Sequence, residues 1–276
     1  MNSQSKHRAA IRTLQVLRIS TDDPTTASRQ EKVDVIVETP LLIDVEGVAQ
    51  YTVLCTPIDK RFLAVGFLFS EGVIDSLDEL AIIQECEDEP NTVRIKLSDM
   101  AASRNAGSAG KGRNLVVVSS CGACGSEEFS GKLEALPKVG NTLCIQGRLL
   151  RAATSRMSGR QPLFESCGGT HWAGIFNGDG EIVAHAEDSG RHNALDKAIG
   201  GCLLGGVPVR GCWAVLSGRV SLEMVSKCAR AGIELIAALS APTSLAVETS
   251  ERCGITLCAF VRETRATVFS HPERIA

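Results

Sequence analysis

The sequence predicts an α/β protein built as two domains, and three observations carry that expectation. Residues 30–100 hold short strand-like runs around a single helix, the pattern of a small α+β domain. The second half alternates strand and helix signals, which in one sheet gives a layered α/β arrangement with parallel strands. Between the two lie an Ala/Gly/Ser-rich run and a pair of cysteines set among glycines. A length of 276 residues accommodates two modest domains. A boundary between about 125 and 145 assigns residues 1–28 to a flexible N-terminal arm and 29–135 to a smaller α+β domain ending in the dithiol loop. Residues 136–276 form the C-terminal α/β domain.

The polar residues up to 28 read as the loose arm. Val33–Val37, Leu41–Val45 and Tyr51–Cys55 are β-prone runs, the last two joined across Glu46-Gly47. Thr56-Pro57-Ile58-Asp59 reads as a helix start, with Thr56 as cap, Pro57 in the first turn and Asp59 adding negative charge there. Phe62, Leu63, Gly66, Phe67 and Ser70 share one face of that helix, which Gly72 ends. Thr92–Leu97 alternates Val93, Ile95 and Leu97 as a half-buried strand does. Ser98 to Asn114 reads as a mobile loop or linker, and Leu115–Val118 as a strand leading to the cysteine pair. Trp213–Leu216, Ile233–Ala238 and Ile255–Phe260 read as strands. Helices over Ser221–Ala231, stopped by Gly232, and from Pro242-Thr243 to Gly254 separate them.

Composition narrows the function. A net charge of −3 supplies no global basic field for nucleic acid. No apolar run approaches the ~18 residues that a membrane helix needs. The N-terminus carries Lys6, Arg8, Arg12 and Arg18 without an apolar core, so no export signal is read and a cytoplasmic location is expected. Eleven cysteines then point to a reducing compartment, where most are free thiols. Cys55, Cys144, Cys202, Cys212, Cys228, Cys253 and Cys258 stand singly among apolar neighbours and read as small buried hydrophobes.

Cys121-Gly122-Ala123-Cys124-Gly125 is different. A buried thiol needs no glycine collar, whereas one that another molecule must reach gains from the backbone freedom of Gly122 and Gly125. By itself the motif leaves a redox dithiol, half of a metal site, sulfur carriage and a plain turn all open. Gly168-Gly169-Thr170-His171, Glu187 to Asn193, Ser217-Gly218-Arg219 and Ser240-Ala241-Pro242-Thr243 are polar signatures of the second half. Three of them leave strands or open helices, where the loops of α/β sheets line a single crevice. Arg191, Arg219, Arg262 and Arg265 are suited to pyrophosphate. His185-Ala186-Glu187 has the residue types of a zinc deaminase, with Cys121, Cys124 and a histidine such as His185 or His192 as ligands. The CxxC precedes that pair, however, and no proline stands before Cys121, so a zinc-dependent deaminase-like hydrolase is the alternative reading.

SSCGACG, GGTH, EDSGRHNALDKAIG, LSGR with its S-x-E-M-V-x-K, AGI, SAPTSLA and RATVFSHPERI together resemble the FdhD family, over roughly residues 30 to 275. The resemblance implies a sulfurtransferase, or sulfur carrier, required for formate dehydrogenase activity. Such a protein takes persulfide sulfur from a cysteine desulfurase. It passes the sulfur to the molybdenum (or tungsten) bis-guanine-dinucleotide cofactor before that cofactor enters the formate dehydrogenase catalytic subunit. The resemblance also implies a C-terminal cytidine deaminase-like fold without the deaminase zinc, no tightly bound metal, a homodimer, and neither nucleic-acid nor membrane partners. Carried onto this chain, it makes Cys121 the persulfide carrier, with Cys124 assisting. Phe260, Val261, Arg262, Glu263, Thr264 and Arg265 become the cofactor-binding segment, with Arg262 and Arg265 as its charged members. Ser189 stands where the family often has Val, and Cys55 where Met is usual; neither touches the dithiol.

Overall fold

The computed structural model describes residues 8–22, 28–105, 113–117 (as backbone) and 134–276. Cys121 and Cys124 lie outside the described residues, as do the ends of the expected arm. The N-terminal region opens with a ribbon, β1 (Ile11–Arg18) against β2 (Arg29–Ile36), antiparallel from Ile11↔Ile36 to Arg18↔Arg29. Ile11–Arg18 is therefore a strand and not part of a loose arm. Its pairing carries it, since Leu14 and Leu17 stay exposed. The base of the ribbon is seated by Ala10, Ile58 and Leu163.

A five-stranded sheet follows in the order β5-β6-β3-β4-β7. It comprises β3 (Thr39–Val45), β4 (Ala49–Cys55), β5 (Leu80–Glu85), β6 (Thr92–Leu97) and β7 (Arg113–Val117). β3 and β4 form the expected hairpin, turned at Gly47, whose φ of +71° suits glycine. Helix α1 (Lys60–Ser70) buries Leu63, Ala64, Phe67 and Leu68 against Leu41, Ile43, Val93 and Ile95 of this sheet. Thr56 does not cap α1. Asp59 holds the cap position at φ 52° without a side-chain cap bond, and Thr56 is buried in a contact described below. A short helix, α2 (Asp99–Asn105), occupies the start of the expected 98–114 loop. DMAASRN carries no apolar stripe, and Ala101 is its one buried residue.

The C-terminal region holds a six-stranded sheet in the order β13-β12-β11-β10-β8-β9. Its strands are β8 (His171–Phe176), β9 (Ile182–Asp188), β10 (Trp213–Leu216), β11 (Leu235–Ala238), β12 (Thr256–Ala259) and β13 (Thr267–Ser270). The central β10, β11 and β12 run parallel, while β8, β9 and β13 are antiparallel to their neighbours. WAVL, LIAA and TLCA are buried throughout, as parallel strands covered on both faces must be. One face carries α5 (Arg191–Leu204), α6 (Leu222–Ala231) and α7 (Ser244–Cys253). The other carries α3 (Gly147–Ser158), packed on Trp172, Phe176 and Trp213. A one-turn helix, α4 (Pro162–Cys167), leads into β8.

The two sheets meet where α1 crosses α5. A Cβ placed at Gly66 would lie 1.8 Å from the Asp196 carbonyl oxygen, and one at Gly200 would lie 1.9 Å from the Phe62 oxygen. The helices therefore touch backbone to backbone, which glycine alone permits.

Candidate functional site

The carboxyl ends of β10, β11 and β12 open on one side of the C-terminal sheet. Ser217 leaves β10, Leu239-Ser240-Ala241 leave β11, and Phe260 and Arg262 follow β12; together they line an open pocket of about 470 Å³. The loops are tied to one another: Val220 N–H donates to Ala241 O (3.1 Å) and Thr243 N–H to Val220 O (3.0 Å). Thr243 also caps α7, accepting from Ala246 N–H. Phe260 stands at φ 52°, an uncommon conformation for a bulky side chain, and remains 42% exposed. Its neighbour Val261 is 1% exposed and belongs to the core beneath, so its side chain does not face the pocket. Arg262 donates from Nη1 to the carbonyls of Leu239 (2.7 Å) and Val261 (2.8 Å), bracing the β11 loop. Glu263, Thr264 and Arg265 are exposed on the β12–β13 turn, which the Arg262 N–H closes onto Arg265 O at 2.8 Å.

Because β8 runs antiparallel to β10, its first residue, His171, arrives beside Ser217. Ser217 Oγ accepts from Trp172 N–H at 2.9 Å and stands 3.4 Å from His171 Nδ1. Gly218 is packed closely: a Cβ there would lie 3.1 Å from His171 Nδ1 and 3.3 Å from the Arg191 Cβ. Burial, and then the Arg191 charge, hold the His171 imidazole below its ordinary pKa. Burial and the nearby Arg219 likewise lower that of Arg191. Next in the chain, His192 is buried, with Nε2 3.4 Å from Ser221 Oγ. Burial, and then Arg191 and Lys227, push its pKa down to about 4.

The profile of the FdhD/NarQ family matches residues 36–276. The chain belongs to the FdhD/NarQ family. A Bordetella bronchiseptica protein named sulfur carrier protein FdhD is 35% identical over 239 residues, covering 87% of this chain and 86% of that protein. One of the same name from Saccharolobus solfataricus is 37% identical over 224 residues, covering 81% and 82%. Among solved structures, a Desulfotalea psychrophila protein provisionally described as a formate dehydrogenase accessory protein matches with a TM-score of 0.76 and 25% identity. That match spans 97% of this chain and all of the other.

Most of the longest FdhD/NarQ-like signature, EDSGRHNALDKAIG, builds scaffold. Asp188 is fully buried; its Oδ2 lies 2.6 Å from Lys197 Nζ, itself fully buried, and accepts from Thr56 N–H at 3.1 Å. Its Oδ1 accepts from Gly190 N–H (2.8 Å) and Asn193 Nδ2 (2.9 Å). Thr56 accepts from Ser189 N–H through its hydroxyl and from Lys197 through its carbonyl. Asp196 and Glu71 both pair with the buried Lys227. Burial works against that ammonium, but the two carboxylates more than offset it and raise its pKa. Of the signature, Arg191 is the residue that faces Gly218.

Glu187 is also spent structurally. It accepts from the N–H groups of Leu163 and Phe164 at the start of α4 and from the Thr170 hydroxyl (2.8 Å), leaving no carboxylate for deaminase-type proton transfer. His185 stacks on Trp172 with centroids 5.9 Å apart. Among the described residues no group of three His, Cys, Asp or Glu side chains is placed to hold a metal ion. Cys55, Cys202 and Cys258 are buried thiols whose pKa burial pushes up to about 12. Cys144, expected among the buried cysteines, is exposed, and its neighbours Leu143 and Ile145 supply the core contacts instead.

Proposed function

We propose that this protein carries sulfur to a guanine-dinucleotide metal cofactor in the service of formate dehydrogenase. The observation that carries the reading is the match along most of both chains to proteins named as sulfur carriers. In the loading step the Cys121 thiolate attacks the terminal sulfur of a cysteine desulfurase persulfide. A new S–S bond forms on Cys121 as the donor's S–S bond breaks, and the donor leaves as a thiolate. The parallel pairing of β4 with β7 supports an acceptor site nearby. Val117 stands opposite Val53, three residues before the Thr56 that touches Asp188 and Ser189. Cys121 is four residues beyond Val117, a span of at most about 14 Å. The sulfur-bearing chain thus departs beside the start of α5, whose first residue adjoins the crevice. In this reading the molybdenum or tungsten cofactor is the substrate, and it occupies the pocket between Ser217, Ser240 and the Phe260–Arg265 segment. Cys124 assists Cys121, the protein acts as a homodimer, and both partner enzymes are met in the cytoplasm.

Incubation with a desulfurase and cysteine, followed by peptide mass spectrometry, is expected to place the sulfane sulfur on Cys121. Cys121→Ala is expected to abolish formate dehydrogenase activation while the protein stays folded. Sulfur found chiefly on another cysteine, or an alanine variant that still activates the dehydrogenase, would sink the proposal.

A further inference from the structure

We infer that Arg191 and Arg219, set on either side of Gly218, recognise a diphosphate in this crevice. The inference deepens the cofactor reading above and rests on it. It assigns the phosphate-binding charges to residues outside the Phe260–Arg265 segment.

Among the described residues, Arg191 and Arg219 are the charges at this crevice that no ion pair holds, Glu223 acting on Arg191 from beyond ion-pair distance. Arg191 Nε is buried and makes no hydrogen bond, and among the described residues neither guanidinium forms an ion pair with a carboxylate. Two guanidiniums held near one another with no ion pair to either repel, and a bridging dianion relieves that repulsion while accepting from both forks. Asp188, close enough to influence His171, is not available as a counterion, because Lys197, Thr56, Gly190 and Asn193 already occupy its oxygens. Arg262, by contrast, spends Nη1 on two backbone carbonyls.

The surroundings suit phosphate oxygens. Gly218 lets His171 and Arg191 close to van der Waals contact with the loop backbone; a methyl group would press on both. Ser217 Oγ already accepts from Trp172, so its own proton is free for His171 Nδ1, and the imidazole then presents Nε2–H as a neutral donor. Helix α5 begins at Arg191 with glycine at its cap position and no side-chain cap. Ser217 is both a wall of the pocket and the residue before Gly218, which places the arginines at the pocket's rim. Glu223, in the first turn of α6, is the carboxylate acting on Arg191 and opposes an anion there.

Calorimetry with GDP, guanosine and inorganic pyrophosphate on the full chain tests this. Arg219→Gln, an exposed position that leaves the fold intact, and Arg191→Gln are each expected to weaken GDP and pyrophosphate by about tenfold or more, the scale of hydrogen bonds to charged groups. Guanosine binding stays unchanged, Gly218→Ala weakens GDP, and Glu223→Gln tightens it. GDP binding undiminished in both arginine variants overturns the inference while leaving the cofactor reading intact. Arginine-dependent pyrophosphate binding without any preference for GDP keeps the inference and removes the guanine-cofactor reading. Wild-type protein that binds neither ligand removes both.

Discussion

His192 shows how burial sets a titration that the sequence does not advertise. The motif around it reads as a ligand loop, yet its imidazole is buried, feels the Arg191 charge and is kept neutral, with a pKa pushed down to about 4. An unfolded histidine titrates near 6.5, so as pH falls through that value the unfolded chain takes a proton that the native one refuses. This contribution is complete above about pH 6.5, is lost progressively on the way down to about 4, and is constant below. At pH 5 the deficit is about 2 kcal/mol. Denaturant titrations at pH 7 and pH 5 are expected to differ by about that much more in wild type than in His192→Gln. Equal pH dependence in the two proteins would mean that His192 is solvated. Other residues were legible in advance. The strand-end rule brings Ser217, Ser240, Phe260 and Arg262 to one place, and all four line one pocket. Val261 was not legible, because a one-residue alternation toward the core is decided by packing beneath the loop.

The elements read best from sequence are those whose two faces are both covered. Almost wholly apolar β10, β11 and β12, bounded by glycine and capping residues, leave little choice of structure. β1 and α2 escaped because neither shows a buried period: β1 is mostly exposed and α2 buries a single alanine. The start of α5 was misread for another reason. Asp188 and Lys197 look like surface or ligand residues until Thr56, over a hundred positions earlier, is brought against them. That junction yields a prediction. Asp188→Asn strands the Lys197 ammonium in the interior and is expected to cost about 3–5 kcal/mol, the usual loss when one member of a buried pair is removed. Adding Lys197→Met is expected to recover part of that loss in urea unfolding. A single variant within about 1 kcal/mol of wild type would show the pair to be dispensable.

At the scale of the molecule, the Asp188–Lys197 pair and the Asp196–Lys227–Glu71 cluster both lie where the N-terminal sheet and its helix meet α5 and α6. Separating the two regions would strand buried charges, so unfolding is expected as one transition. The chain carries its own reporters: one tyrosine, Tyr51 in β4, and two tryptophans, Trp172 and Trp213 in the C-terminal sheet. Tyrosine absorbance and tryptophan fluorescence should share one midpoint in denaturant; midpoints that differ would mean that the regions melt separately. Where Gly66 meets Gly200 there are no side chains to re-pack, and a crossing made of main chain against main chain offers no alternative register to slide into. The protein is therefore built as a ruler and not as a hinge. On the function proposed above, Val117, the last described residue before Cys121, and Ser217 at the crevice belong to regions joined by this crossing, so a sulfur donor and an acceptor would meet the protein without a domain movement between them.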